Sequence, residues 1–204
     1  MTSLLVIAKA PVAGRVKTRL CPPCSPAEAA GLAAAALADT LAAVSATTRA
    51  TRRVLVLDGD PGDWVPPRFD VLPQHGHGLA ARLGAAFADA GGPGLLIGMD
   101  TPQVTPALLD AGLAALDRAD AVLGHARDGG YWAIGLRRPD AAVFHGVPMS
   151  APSTGRVQRA RLAALGLRTA VLPPLRDVDT IADARAVAAV ARGGRFARAV
   201  EALA

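Results

Sequence analysis

The chain has 204 residues, 51% hydrophobic and 19% charged, a balance that excludes disorder and suits a single globular domain over residues 1–204. The net charge is +5, but the basic residues are scattered singly or in pairs and aromatics amount to 3%, so small anions are favoured as partners and nucleic acid is not. No apolar run approaches the ~20 residues of a membrane helix, and Lys9 and Pro11 interrupt the N-terminal apolar stretch early, which predicts a cytoplasmic protein with no signal peptide and no membrane partner.

Residues 3–8 (SLLVIA) read as a short buried strand. The loop that follows holds Pro11 and Gly14 and four cations, Lys9, Arg15, Lys17 and Arg19. Lys9 and Lys17 are the only lysines in the chain. A strand, a glycine-containing basic loop and then a helix form a usual setting for gripping phosphates, although a solvated basic loop has the same composition. The loop lacks the glycine-lysine-serine/threonine ending of a Walker motif and the three glycines of a dinucleotide fingerprint. Cys21-Pro22-Pro23-Cys24 is one cysteine pair without a second, weak as a zinc or redox signal.

Ser25-Pro26-Ala27-Glu28 is a capping box with proline at the first helical position, opening an alanine-rich helix to about Ser45. Residues 53–58 form a second strand, and 69–72 a short edge strand. Gln74, His75 and His77 precede a helix over 79–90 that carries Arg82. Two histidines alone do not close a zinc site.

Residues 95–97 are a strand buried on both faces, and Gly98-Met99-Asp100-Thr101-Pro102 ends it. Gly98 permits close approach of a ligand to the backbone. Asp100 stands where an open α/β sheet places its ligands, suited to hold a hard cation, with a turn or cap as the plainer reading. A helix from Pro106, a strand over 121–124, a tight turn at Asp128-Gly129-Gly130-Tyr131-Trp132 and a strand over 133–136 follow. The turn suits either close approach to a ligand or a simple hairpin. Ser153 or Thr154 caps a helix to about Leu165, residues 168–172 form a strand, and Asp177-Val178-Asp179-Thr180 leads into a capping box at Thr180 and two terminal helices. Alternating strands and helices predict a three-layer α/β sandwich.

In order, Lys9-Ala10-Pro11, Gly14-Arg15-Val16-Lys17-Thr18-Arg19-Leu20, Gly98-Met99-Asp100-Thr101-Pro102, Gly124, Asp128-Gly129-Gly130-Tyr131, Ile134-Gly135-Leu136 and Asp177-Val178-Asp179-Thr180 span nearly the whole chain. This set resembles the glycosyltransferase-A-like family of radical-SAM/selenodomain-associated transferases, and is similar in part to 2-phospho-lactate guanylyltransferase and the molybdenum-cofactor nucleotidyltransferases. The resemblance implies a Rossmann-like nucleotide-diphospho-sugar transferase fold with a mostly parallel mixed sheet and a divalent metal, Mg²⁺ or Mn²⁺. It implies that the basic loop holds the triphosphate and that Asp100 and Asp179 hold the metal. The chain departs from the family at His77-Gly78-Leu79-Ala80, at Gly124-His125-Ala126 and at Met149-Ser150, where base or acceptor recognition is expected to differ.

The expected function is a nucleotidyltransferase moving a nucleoside monophosphate from a nucleoside triphosphate to a small phosphorylated acceptor. Lys17, Arg19 and Asp100 are the expected catalytic residues. Nucleotide binding falls to Lys9, Pro11, Gly14, Arg15, Lys17, Arg19, Gln74, Arg82 and Gly98, and acceptor binding to Asp128, Gly129, Gly130 and Tyr131. The alternatives are a glycosyltransferase using a nucleotide-sugar donor, in which a carboxylate such as Asp128 activates the acceptor, and a nucleotide-binding protein without catalysis. Helical surfaces rich in Ala and Leu permit a homodimer.

Overall fold

The computed structural model describes residues 1–203. In chain order the elements are β1 (Ser3–Lys9), α1 (Pro26–Ser45), β2 (Arg52–Asp58), β3 (Phe69–Pro73), α2 (Gly78–Ala90), β4 (Gly94–Gly98), α3 (Pro106–Ala115), β5 (Ala121–Ala126), β6 (Tyr131–Leu136), α4 (Thr154–Ala164), β7 (Thr169–Leu175), α5 (Ile181–Val190) and α6 (Arg195–Glu201). Short 3-10 turns occupy Thr18–Leu20 and Ala141–Phe144.

All seven strands join one sheet in the order β3-β2-β1-β4-β6-β5-β7. Only β6 runs against its neighbours, pairing antiparallel with both β4 and β5. The mixed, mostly parallel sheet follows from the connections, because long crossovers, helical except for the loop between β2 and β3, join parallel strands whereas β5 and β6 meet through a short turn. β1 lies inside the sheet, next to the central β4, with Leu5 opposite Val54 on one side and Leu96 on the other.

The side-chain alternation of β1 divides the core. Leu4 and Val6 face α1 and α3, packing with Leu37, Leu41, Leu109 and Leu113. Leu5 faces α2 and α4, packing with Leu83, Phe87, Phe144 and Leu162. A third cluster lies beyond α1, where Leu20, Leu32, Ala36, Val178, Val187 and Phe196 bury one another. Helices α5 and α6 therefore extend the expected sandwich on its α1 side.

Local chemistry accounts for the boundaries. The Ser25 hydroxyl accepts from the Glu28 N–H at 3.3 Å, and the Glu28 carboxylate accepts from the Ser25 N–H at 2.7 Å, completing the predicted capping box. A matching box joins Thr180 and Asp183 at the start of α5. β7 runs through Pro173 and Pro174, past the expected end at residue 172, because an edge strand has no partner on one side to miss a proline's N–H. Tyr131 and Trp132 belong to β6 rather than to the turn before it. Cys21 and Cys24 are free thiols. Cys24 packs in the third cluster, and burial raises its pKa, which suits a structural role over a reactive one.

α1 amends one expectation. At 20 residues it is long and apolar enough to cross a membrane by length and composition, yet 56% of its apolar window is buried inside the fold. Its small side chains let two layers approach it, the sheet on one face and α5 and α6 on the other.

The link between α1 and α6 includes a side-chain cap. The Asp39 carboxylate accepts from the N–H groups of Arg195 and Phe196, each at 2.9 Å, and so satisfies the otherwise open N-terminus of α6. Asp39→Ala is expected to lower unfolding free energy by about 1–2 kcal/mol with an unchanged denaturant slope. Urea denaturation followed by circular dichroism measures both.

Candidate active site

A cleft of about 760 Å³ opens along the carboxyl ends of β1 and β4 and the start of β6. This is the edge at which an open α/β sheet presents ligands, because the strands diverge into loops there. Lys9, Arg15, Lys17 and Arg19 reach it from the loop after β1, Gly98 and Asp100 from the end of β4, and Asp177 and Asp179 from the segment before α5. Pro11, Gly14 and Gly129 are not among its walls. Gly14 serves the loop instead, at φ +76°, a conformation that a side chain would oppose.

The acidic and basic groups meet at one corner. The Lys17 ammonium lies 2.5 Å from Asp100 Oδ1 and 3.9 Å from Asp179 Oδ1, and it donates to the backbone carbonyl of Val178. Its side chain is 9% exposed, so it forms part of the cleft wall and is held there by these oxygens. Arg19, 73% exposed, pairs with Asp179 at 3.3 Å and is free to turn toward a ligand. Val178 explains the convergence. Its side chain is buried in the third cluster beside Leu20, one turn beyond Lys17, and its N–H donates to the Asp100 carbonyl at 2.9 Å. With Val178 turned inward, the flanking Asp177 and Asp179 face the cleft.

Asp177 is the principal residue missed by sequence reading. Burial, joined by the carboxylates of Asp128, Asp100 and Asp179, pushes its pKa up to about 7, partly offset by Lys17. Its Oδ1 is sealed from solvent and has no hydrogen-bond partner among the described residues. The signal was the Asp-Val-Asp alternation, in which a buried valine makes both neighbours point the same way. Thr101, also unassigned from sequence, lines the cleft with a buried hydroxyl that lacks a partner among the described residues.

This corner offers oxygen donors only, which suits a hard cation. Among the described residues no group of three His, Cys, Asp or Glu side chains forms a ready metal cage. Magnesium does not need one, since it commonly takes one or two carboxylates and keeps water and phosphate oxygens. Asp100 and Asp179, with the unpartnered Asp177 oxygen nearby, meet that demand. His75 instead pairs with Asp89 at 2.7 Å on the surface.

Gln74 and Arg82 line the cleft on the β1 and β2 side. The Gln74 amide donates to the carbonyls of Ala8 at 2.7 Å and Val56 at 3.1 Å, and its oxygen accepts from Arg82 at 3.3 Å. Arg82 also pairs with Asp58 at 3.1 Å. Gln74 thus ties two strand ends together and holds Arg82 in place.

The opposite wall is the β5–β6 turn. Asp128 Oδ1 accepts from the Gly130 N–H at 2.8 Å, closing the turn on itself. Gly129 sits at φ +94° beneath the Pro152 carbonyl, with which a Cβ would collide, and its own carbonyl accepts from the Gly155 N–H at 2.8 Å. The turn is therefore both a hairpin and a wall of the cleft, and Gly129 braces it from behind. Tyr131, its pKa raised by burial, makes a 3.8 Å contact from its hydroxyl to the Met149 sulfur, and with Leu79, Leu83 and Leu96 gives this end of the cleft an apolar lining.

Residues 31–151 match the model of a family described as "Uncharacterized protein conserved in bacteria (DUF2064)". No curated protein matches the chain significantly. Among solved structures, the chain is similar to a protein assigned provisionally as a nucleotide-diphospho-sugar transferase, from Desulfovibrio desulfuricans G20, with TM-score 0.86, 26% identity and coverage of 99% of this chain and 93% of that one. It is similar to a CMP:2-keto-3-deoxy-manno-octonic acid synthetase complexed with CTP, with TM-score 0.60, 13% identity and coverage of 98% and 100%. It is also similar to Rv0371C of Mycobacterium tuberculosis H37Rv complexed with manganese, with TM-score 0.50, 21% identity and coverage of 91% and 97%. The chain thus has the α/β fold shared by nucleotide-diphospho-sugar transferases and nucleotidyltransferases.

The pKa of Asp177 sets a stability profile. Its carboxyl keeps its proton up to about pH 7 in the fold, against an ordinary value of 3.8. A raised folded pKa contributes stability that is full below pH ~4 and is lost as pH rises through about 7. In chelator-treated protein, the Tm of Asp177→Asn minus that of the wild type is expected to grow from pH 4 to pH 8. Parallel melting curves across that range would contradict the assignment.

Proposed function

The chain belongs to the bacterial DUF2064 family, and we propose that it is a nucleotidyltransferase that moves a nucleoside monophosphate from a nucleoside triphosphate to a small phosphorylated acceptor. Its ordered motifs support a place in the radical-SAM/selenodomain-associated group of glycosyltransferase-A-like proteins. The observation that carries the functional reading is the pairing, in one cleft, of four cations from the first loop with the carboxylates of Asp100, Asp177 and Asp179. A triphosphate brings more negative charge than a nucleotide-sugar, and Lys9, Arg15 and Arg19 are placed to neutralise it. The likenesses to a CTP-bound synthetase and to a manganese-bound protein of the same fold support a nucleotide and a divalent cation.

In this reading an oxygen of the acceptor phosphate attacks the α-phosphorus. The new P–O bond forms as the bond between the α-phosphorus and the bridging oxygen breaks, and pyrophosphate leaves with that electron pair. An acceptor phosphate is already ionised near neutral pH, so no general base is required. Asp100 and Asp179 would hold Mg²⁺ or Mn²⁺, which when bound supplies charge stabilisation to the phosphoryl oxygens. Arg19 and Arg15 stabilise charge gathering on the departing pyrophosphate. Asp128, Gly130 and Tyr131 border the acceptor, and Gly129 holds their turn.

The second reading, transfer of a sugar from a nucleotide-sugar, is favoured by the likeness with TM-score 0.86 to the provisional nucleotide-diphospho-sugar transferase. The product separates the two. Incubation of each nucleoside triphosphate with a panel of small phosphates and Mg²⁺ is expected to release pyrophosphate, whereas release of a nucleoside diphosphate from a nucleotide-sugar would favour the second reading. Binding of nucleotide with neither product would leave a non-catalytic role. Asp100→Asn is expected to lower kcat/KM for pyrophosphate release by at least ~100-fold, and Arg19→Ala by ~10-fold, while melting temperature stays near that of the wild type.

A further inference from the structure

We propose that Lys17 is an internal counter-ion that occupies the cation position of this site until a metal–polyphosphate complex displaces it. The species the cleft takes up is then the metal–nucleotide complex and not the free cation. The inference rests on the reading of Asp100 and Asp179 as metal-holding carboxylates, and adds the order and coupling of binding.

A lysine ammonium has three protons and no acceptor capacity. In this structure the ammonium donates to the Val178 carbonyl, pairs with Asp100 Oδ1 at 2.5 Å, and lies 3.9 Å from Asp179 Oδ1, within range of charge attraction only. These oxygens come from the two carboxylates expected to hold a metal and from the backbone between Asp177 and Asp179. An ammonium surrounded in this way does the work of a cation. It neutralises a corner in which Asp100, Asp128 and Asp179 already crowd Asp177.

The backbone is shaped for this contact. Lys17 has φ 51° and ψ 35°, a left-handed conformation uncommon for a residue with a side chain. The Leu20 N–H donates to the Lys17 carbonyl at 2.9 Å, and Leu20 is fixed in the third core cluster. The turn thus directs the lysine inward, with 9% of its side chain exposed, while Arg19 two residues on stays in solvent. A lysine serving only as a phosphate clamp would be expected to extend into the cleft as Arg19 does.

A divalent ion that takes Asp100 Oδ1 competes with the ammonium already paired there. Two like charges at such separation repel, and each oxygen lone pair serves one partner. Entry of the ion requires Lys17 to leave Asp100, and a buried lysine leaves only toward another anion. The phosphate chain of the incoming ligand is that anion, since the cleft beside Lys17 is bordered by Lys9, Arg15 and Arg19. Metal and polyphosphate therefore favour each other's binding, and the coupling is reciprocal.

Electron paramagnetic resonance of free Mn²⁺ tests this without any turnover. With no phosphate present, wild type is expected to bind Mn²⁺ weakly, Lys17→Met ~10-fold or more tightly, and Lys17→Arg no better than wild type, because arginine retains the charge. Lys17→Gln carries the same expectation as Lys17→Met should the latter fail to fold. Adding inorganic tripolyphosphate, with its own Mn²⁺ affinity subtracted, is expected to tighten Mn²⁺ binding to wild type and to change Lys17→Met much less. Equal Mn²⁺ affinity in wild type, Lys17→Met and Lys17→Gln would overturn the counter-ion role while leaving the metal site standing. No Mn²⁺ binding by any variant, with or without tripolyphosphate, would overturn the metal reading and this inference with it.

Discussion

The site depends on the seating of one apolar side chain. Val178 is buried with Leu20 in the cluster beyond α1, its N–H holds the Asp100 carbonyl, and its own carbonyl receives the Lys17 ammonium. Segments from the start, middle and end of the chain are thereby joined at one residue. Burial of a valine is worth a few kcal/mol at most, but its direction matters more than its magnitude. An inward valine leaves the aspartates on either side no direction but the cleft.

The cost of that arrangement is electrostatic. Burial first, and then three neighbouring carboxylates, raise the pKa of Asp177, and Lys17 offsets only part of the effect. Groups whose environments force them from their ordinary pKa concentrate at functional sites, because binding of the right counter-charge relieves the strain. An unpartnered Asp177 oxygen and an unpartnered Thr101 hydroxyl in the same cleft belong to the same pattern. The rest of the cleft is built more conventionally. Gln74 locks two strand ends and Arg82, and Gly129 lets the β5–β6 turn lie directly beneath Pro152.

Much of the fold was legible because its signals are local. A serine and a glutamate three residues apart announce the start of α1, and short aliphatic runs between turn residues announce the strands. The basic loop after β1 and the aspartate after β4 were legible as neighbours in one cleft, since strand ends and turn residues reveal their place in an α/β sheet. The extension of β7 through two prolines was not, because whether a strand lies at an edge is a property of sheet order. The length of α1 suggests nothing about the two layers that cover it. The Asp-Val-Asp alternation could have aimed Asp177 with Asp179, but the burial and neighbouring charge that raise its pKa have no local signature.

The amino-acid sequence by itself determined the alternation of elements, the capping of α1 and α5, and the chemistry available to the cleft: four cations in one loop, and acids after a central strand and before a late helix. Those follow from propensity, spacing and side-chain type, which act over a few residues. Only the tertiary structure decided that Lys17 faces inward to Asp100 while Arg19 faces outward, that Gly129 braces a wall it does not line, and that Asp177 joins the site. Each of these is set by packing between segments far apart along the chain, where the deciding partner is absent from the local sequence.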